Sequence, residues 1–329
     1  IQLLEKLREN HPDLPVIVVS GAGVMDDVVH ALRLGAADFL VKPILDLEVL
    51  VHSLRKALSH QSLQRENRAY REHLEATNRE LKLGLDELRA DQQAGRHAQL
   101  RMLPEPLSMG DVSCEHKLQP SLMLSGDFLD FMEVDDDRLA FYIADVSGHG
   151  ASSAFVTVLL KNLTYRLKRN FQRGSSDDIL KPDLVLARIN SELLASELDK
   201  HLTMFYGVLT LSTGVLSYSV GGHFPMPVLI SDGEAKFFEG RGMPVGLFKD
   251  AEYKSIDVEL AGDFRLMMFS DGILEIIDEP SLNDKESKLL AMASEAEGKL
   301  DAFWSIAGVA AHDEVPDDIA VATVCRGVL

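Results

Sequence analysis

Apolar and polar positions along the chain divide it into three textures. Over residues 1–57 short apolar runs alternate with helical spacing: a helix over 3–9, a buried-type strand over 16–19, a helix over 26–34, a strand over 39–41 and a helix from Asp46. Such alternation predicts a parallel sheet with crossover helices, Gly35 closing the second helix and Asp46 capping the third. Residues 58–101 hold no proline and are rich in Glu, Arg, Leu and Gln, the make-up of a long exposed helix. Asn67, Leu74, Leu81 and Leu88 recur every seventh residue, with Leu63, Tyr70, Thr77 and Gly84 as the companion row. That spacing predicts a short coiled coil. The second row is poor in apolar groups, so a solitary solvated helix stays open beside it. From Leu103-Pro104-Glu105-Pro106 onward the pattern changes to short strands with turn signals, over 138–144, 201–211, 214–221, 226–230, 264–269 and 319–324. Helical stretches at 151–168, 182–198 and 285–298 interrupt them, which predicts an antiparallel α+β layered domain.

Composition narrows the setting. No apolar run reaches the roughly 18–20 residues of a bilayer span, and residues 1–30 carry no secretory signal, so a cytoplasmic, non-membrane protein is expected. Cys114 and Cys325 are too few for a disulfide framework and read as reduced structural thiols. A net charge of -19 repels nucleic acid and anionic lipid, leaving protein partners or small ligands. The acid excess is uneven, with 13 acidic against 4 basic residues over 271–329. That concentration is either a solvated face or a place where carboxylates gather a cation.

Four aspartate motifs favour the cation: Gly126-Asp127-Phe128, Asp145-Val146-Ser147-Gly148-His149-Gly150, Ser270-Asp271-Gly272 and Asp317-Asp318-Ile319, each placed where a strand should end. Asp145 and Asp271 follow apolar strands and precede glycine turns, so both carboxylates can project from one rim of a sheet. Each motif alone is an ordinary turn. Together they suit a hard divalent cation, magnesium or manganese, and a pair of such ions can activate water for attack at phosphorus. Neither a Ser-His-Asp nor a Cys-His arrangement offers a better nucleophile.

These motifs in this order resemble the type-2C serine/threonine phosphatases, in the bacterial branch typified by SpoIIE and RsbU, over most of residues 102–328. Asp130, Gly222-His223 and Gly242-Met243-Pro244-Val245-Gly246 belong to the same match. The resemblance implies a four-layer αββα domain in which Asp145 bridges two metals, Asp271 and Asp317 complete one site, the Val146 carbonyl serves the other, and Asp127 acts mainly through water. It departs at Ala320, where the family often has threonine. His149 is read as shaping its glycine turn. His223 is read as a structural hydrogen-bonding residue, with a general acid or phosphate contact as the alternative.

The first segment has its own signature. One strand ends in Ser20 and the other in Lys42-Pro43, with Leu34-Gly35-Ala36-Ala37 between them. This resembles the last part of a flavodoxin-like α/β receiver of two-component systems. By that resemblance Ser20 and Lys42 contact an aspartyl phosphate, Phe39 is the ring that moves with Ser20, and Lys42-Pro43 is a cis bond. The phosphoacceptor and the magnesium-binding acids of a receiver belong to earlier strands, expected ahead of Ile1, and no residue here is assigned that role.

The expected division is therefore receiver segment 1–57, helical linker 58–101 and phosphatase domain 102–329, an order that resembles the RssB-like response regulators. Two functions follow from it. One is a phosphoserine or phosphothreonine protein phosphatase, controlled by a cognate histidine kinase or other phosphodonor, acting on an anti-sigma antagonist, and paired as a homodimer through the linker. The other is an adaptor that presents the stationary-phase sigma factor to the ClpXP protease, using the phosphatase fold for docking. An adaptor has no need of the metal aspartates, and their retention favours the enzyme.

Overall fold

The computed structural model describes residues 2–21, 25–148, 150–260, 262–311 and 315–327. It falls into two compact units, Ile1–Leu88 and Arg89–Leu329.

In the first unit α1 (Gln2–Asn10), β1 (Ile17–Ser20), α2 (Met25–Arg33) and β2 (Asp38–Val41) alternate, and the two strands pair in parallel with Ser20 opposite Val41. The Lys42 amide donates to the Ser20 carbonyl at 2.9 Å, so Ser20 and Lys42 meet at the carboxyl ends of adjacent strands. Phe39 packs, half-buried, against a small core of Leu4, Ala31 and Ala36. Gly35 takes φ 89° after α2, the left-handed conformation that a helix stop requires. Asp46 accepts from the Glu48 amide at 2.8 Å and caps α3 (Leu47–Leu100). Lys42-Pro43 is cis. The helix runs past residue 57 without a break, and Leu63, Tyr70, Leu74, Leu81 and Leu88 are exposed along it.

The second unit begins with the last turns of α3 and continues through β3 (Leu107–Met109), β4 (Val112–Gln119), β5 (Asp127–Glu133) and β6 (Arg138–Val146). Helices α4 (Ala151–Gln172) and α5 (Pro182–Ala195) separate these from β7 (Leu202–Thr210), β8 (Val215–Gly221), β9 (Val228–Ser231) and β10 (Glu234–Phe237). Then follow β11 (Ile256–Glu259), β12 (Phe264–Phe269), α6 (Gly272–Glu275), α7 (Leu282–Glu295), α8 (Leu300–Ile306) and β13 (Ile319–Arg326).

The strands form two sheets, one ordered β10-β9-β12-β13-β4-β3 and one β11-β8-β7-β6-β5. Strand periodicity sorts their side chains. Leu129, Phe131, Leu139, Phe141 and Ile143 of one sheet meet Leu266, Met268, Ala320 and Ala322 of the other in a core between the sheets. Phe128, Met132, Tyr142 and Tyr206 face outward under α4 and α5, while Met267, Phe269 and Val321 face outward under α7 and α8. The result is the expected αββα layering.

The same periodicity separates Asp127 from Asp130. Asp127 lies on the inter-sheet face, whereas Asp130 lies under α4, where its carboxylate is buried and accepts from Lys161 Nζ at 2.7 Å. Burial raises the Asp130 carboxyl above its ordinary range, and Lys161 opposes that rise. Replacing Lys161 by methionine is expected to leave this buried acid without its partner and to cost about 1–3 kcal/mol. The measurement is urea unfolding, with a lower midpoint and an unchanged slope.

Candidate metal centre

The aspartates singled out in the sequence meet at one rim of the sandwich, and each sheet supplies part of the set. Asp127 is the first residue of β5 rather than a residue at a strand's close, and its antiparallel partner in register is Asp145, next to last in β6. Both extend the inter-sheet face marked by Leu129 and Ile143, because strand periodicity carries that face to the end of the sheet. From the other sheet, Asp271 stands two residues after the end of β12 and Asp317 two residues before the start of β13, two strands that are neighbours.

Glycines let these segments approach. A Cβ at Gly272 would lie 2.1 Å from the Asp318 carbonyl oxygen, so only glycine allows the Asp271 turn to rest on the Asp317-Asp318 turn. At Gly126 a Cβ would lie 2.8 Å from the Val146 carbonyl oxygen, which brings that oxygen against the entry to β5. Gly148 and Gly150 take φ of 75° and 85° and turn the chain from β6 into α4. Lys200 braces this turn, its Nζ donating to the Ser147 carbonyl at 2.8 Å and lying 3.2 Å from Ser153 Oγ. His149 lies outside the described residues.

Electrostatics sets this rim apart. Asp127 is buried, and its carboxyl is raised well above the usual range, first by burial and then by Asp145. Asp145 is pushed up to about 7 by burial and by Asp271, Asp317 and Asp318. Asp271 is raised by burial, then by Asp317 and Glu275. Among the described residues the charges acting on these three groups are other carboxylates, the Ser270 side chain partly opposes the rise of Asp127, and Asp127 Oδ2 is buried without a hydrogen-bond partner. An unpartnered buried carboxylate oxygen among like charges is the environment that a hard cation relieves. Among the described residues no three Asp, Glu, His or Cys side chains are already drawn up tightly enough to enclose a metal, so the set is an open acidic rim. Its donors nevertheless fit magnesium or manganese.

Asp318, whose doublet was visible in the sequence, takes a different part from its neighbour. It is buried and accepts from the Ser121 amide and hydroxyl, the Ser125 hydroxyl and the Gly126 amide, at 2.7 to 2.8 Å. Four donors on one carboxylate fix the loop that leads into Asp127. Ser270 continues this scaffold, its hydroxyl accepting from the Ala320 amide at 2.8 Å. His223 is buried, and burial pushes it down to about 4 while an interaction with the Phe269 backbone opposes that fall.

The profile of the stage II sporulation protein E (SpoIIE) family matches residues 135–327, and that of the response regulator receiver domain matches residues 1–55. The phosphoserine phosphatase RsbP of Bacillus subtilis is 28% identical over 185 residues, which cover 55% of this chain and 44% of RsbP. The chain thus spans less than half of that relative. The Regulator of RpoS of Escherichia coli strain K12 is 23% identical over 257 residues, covering 76% of this chain and 72% of that protein. Among solved structures, the SiaA-PP2C domain of Pseudomonas aeruginosa has a TM-score of 0.60 at 17% identity, covering 74% of this chain and 99% of that one, a likeness of fold. Among the described residues no helix is long and apolar enough to cross a membrane. The chain belongs to the SpoIIE family, with a serine/threonine phosphatase domain of the PPM type following receiver-domain sequence over residues 1–55.

Proposed function

We propose that this chain is a metal-dependent protein phosphatase that hydrolyses phosphoserine or phosphothreonine on a partner protein of anti-sigma antagonist type, under control of its receiver. The observation that carries the reading is the meeting of Asp127, Asp145, Asp271 and Asp317 at one rim, where among the described residues the charges acting on the raised carboxyls are other carboxylates and a buried carboxylate oxygen has no hydrogen-bond partner. Asp145 and Asp271 would hold magnesium or manganese together with Asp317 and the Val146 carbonyl, and Asp127 would support them from the buried side. Two such ions supply an activated water and neutralise charge on the phosphoryl group. The chain's own part is to hold four acids against their mutual repulsion, through the Asp318 bonds and the glycine contacts, so that the rim faces a phosphoprotein. Ser20, Phe39 and Lys42 would form the receiver's switch face, and a histidine kinase or another phosphodonor would supply its signal.

The test is phosphate release from a phosphoserine protein by the purified protein with manganese and with magnesium. Absence of release under both ions would overturn the reading. The similarity to the Regulator of RpoS over 76% of this chain supports a second reading, an adaptor for a stationary-phase sigma factor acting with ClpXP. In that case sigma-factor binding should survive loss of the aspartates.

The division into receiver segment 1–57, linker 58–101 and phosphatase 102–329 belongs to this proposal. So does pairing through the linker, whose best apolar knobs are Leu74 and Leu81, 69% and 63% exposed. Changing both to aspartate is expected to shift a dimer toward monomer at a given concentration, because charged residues at seam positions repel across the pair. Analytical ultracentrifugation reads the mass, and equal masses for both proteins would leave a solitary helix.

A further inference from the structure

The last turn of α3 carries a side chain that its exposed, polar surroundings in the sequence do not announce. Gln99 is buried, and all its amide groups are engaged within the second unit. Its Nε2 donates to the Ser125 carbonyl at 2.7 Å and to Thr157 Oγ1 at 3.3 Å, while its Oε1 accepts from the Ser125 amide at 3.0 Å. The side chain thus pairs with one peptide unit as a neighbouring strand would. One turn earlier, a Cβ on Gly95 would sit 3.3 Å from a Leu124 methyl, so a glycine lets the helix lie close to the same loop.

Ser125 is the residue through which this contact reaches the acidic rim. Its hydroxyl accepts from the Asp127 amide at 3.0 Å and donates to Asp318 at 2.8 Å, and Gly126 donates to the same Asp318 oxygen at 2.7 Å. Thr157, the third partner, is buried in α4, the helix that begins directly after the turn following Val146. One amide therefore joins the end of α3 to both supports of the rim, the entry to β5 and the helix behind the Val146 turn.

We propose that Gln99 is a positioning residue that registers the end of the linker helix against Asp127 and α4, so that displacement of this helix alters cation binding at the rim. Groups that orient metal ligands from behind commonly change affinity or activity by 10- to 100-fold when removed. The inference deepens the phosphatase reading and rests on Asp127 belonging to a metal centre.

The experiment compares the whole chain with Gln99→Met and Thr157→Val by hydrogen–deuterium exchange and by manganese-dependent thermal stabilisation. Methionine preserves volume and helix propensity but cannot pair with Ser125, so exchange at residues 125–127 is expected to accelerate roughly tenfold while β12 keeps its protection. The manganese concentration needed for half-maximal stabilisation should rise by roughly 10- to 100-fold, with KM for a phosphoprotein unchanged. Thr157→Val, which keeps the Ser125 pair, should give a smaller shift in the same direction. Uniform loss of protection across the unit with an unaltered manganese requirement would make Gln99 a packing residue only and overturn the proposal. So would no change in either measurement. If Gln99→Met does not fold, Gln99→Glu carries the same outcomes, since it keeps the size but sets a carboxylate oxygen against the Ser125 carbonyl. Wild-type protein that manganese never stabilises would sink the metal-centre reading, whereas stabilisation that Gln99→Met leaves intact would sink this one.

Discussion

Asp145→Asn is expected to lower manganese-dependent hydrolysis by at least about 100-fold, a larger loss than a supporting residue commonly gives. Asparagine has the same shape, so the half-buried position facing Asp127 across β5 and β6 stays filled. What disappears is a negative charge at the centre of the set, the one that Asp271, Asp317 and Asp318 all act upon. Asp271→Asn should behave alike, because it removes a charge from the exposed side of the rim without opening the core. The measurement is phosphate release from a phosphoserine protein, with circular dichroism to show that both variants keep their fold. Turnover equal to wild type in both would end the enzymatic reading, and preserved sigma-factor binding in the same variants would strengthen the adaptor reading instead.

How much of this could be read from residues alone depended on whether the signal was local. Asp145 and Asp271 were legible because each follows an apolar run and precedes a glycine turn, a pattern contained in a few positions. Strands β6, β7, β8 and β12 were legible for the same reason. Strand β5 was not predicted as a strand, because Asp127 and Asp130 fall on opposite faces and break the alternation that marks one. The polar β4 and the four-residue edge strands β10 and β11 were hidden likewise. In the first unit the helix-stop glycine and the Asp46 cap followed from short patterns, and each is present. Gln99 could not be found that way. Its partners Ser125 and Thr157 stand 26 and 58 residues distant, and nothing near Gln99 in sequence distinguishes it from the solvated glutamines of the same helix. Asp318 was visible as half of a doublet, but its division of labour with Asp317 depends on a loop almost 200 residues earlier.

The acids that would bind a cation should also make the cation-free protein less stable as pH rises. Asp145 is pushed up to about 7 in the folded chain and Asp127 is raised well above its ordinary value, whereas both return to the usual carboxylate range, near 4, on unfolding. Between about pH 4 and 7 the folded state therefore holds more protons than the unfolded one, and the linkage relation makes stability fall with pH across that window. The contribution from Asp145 is absent below about pH 4 and reaches an unfavourable limit of up to about 4 kcal/mol above pH 7. Carboxylates elsewhere, such as Asp135 held low by Arg138, act in the opposite sense, so the measurement must be a difference. In chelator at pH 8, Asp145→Asn is expected to raise the melting temperature by roughly 5–10 °C over wild type, and near pH 4 the two should converge, since a protonated Asp145 is as neutral as asparagine. Excess manganese should reverse the order at pH 8, because the cation stabilises only the chain that still has the full carboxylate set. A variant that melts below wild type in chelator at pH 8 would show that Asp145 is not repelled by its neighbours, and the case for a cation at this rim would lose its electrostatic ground.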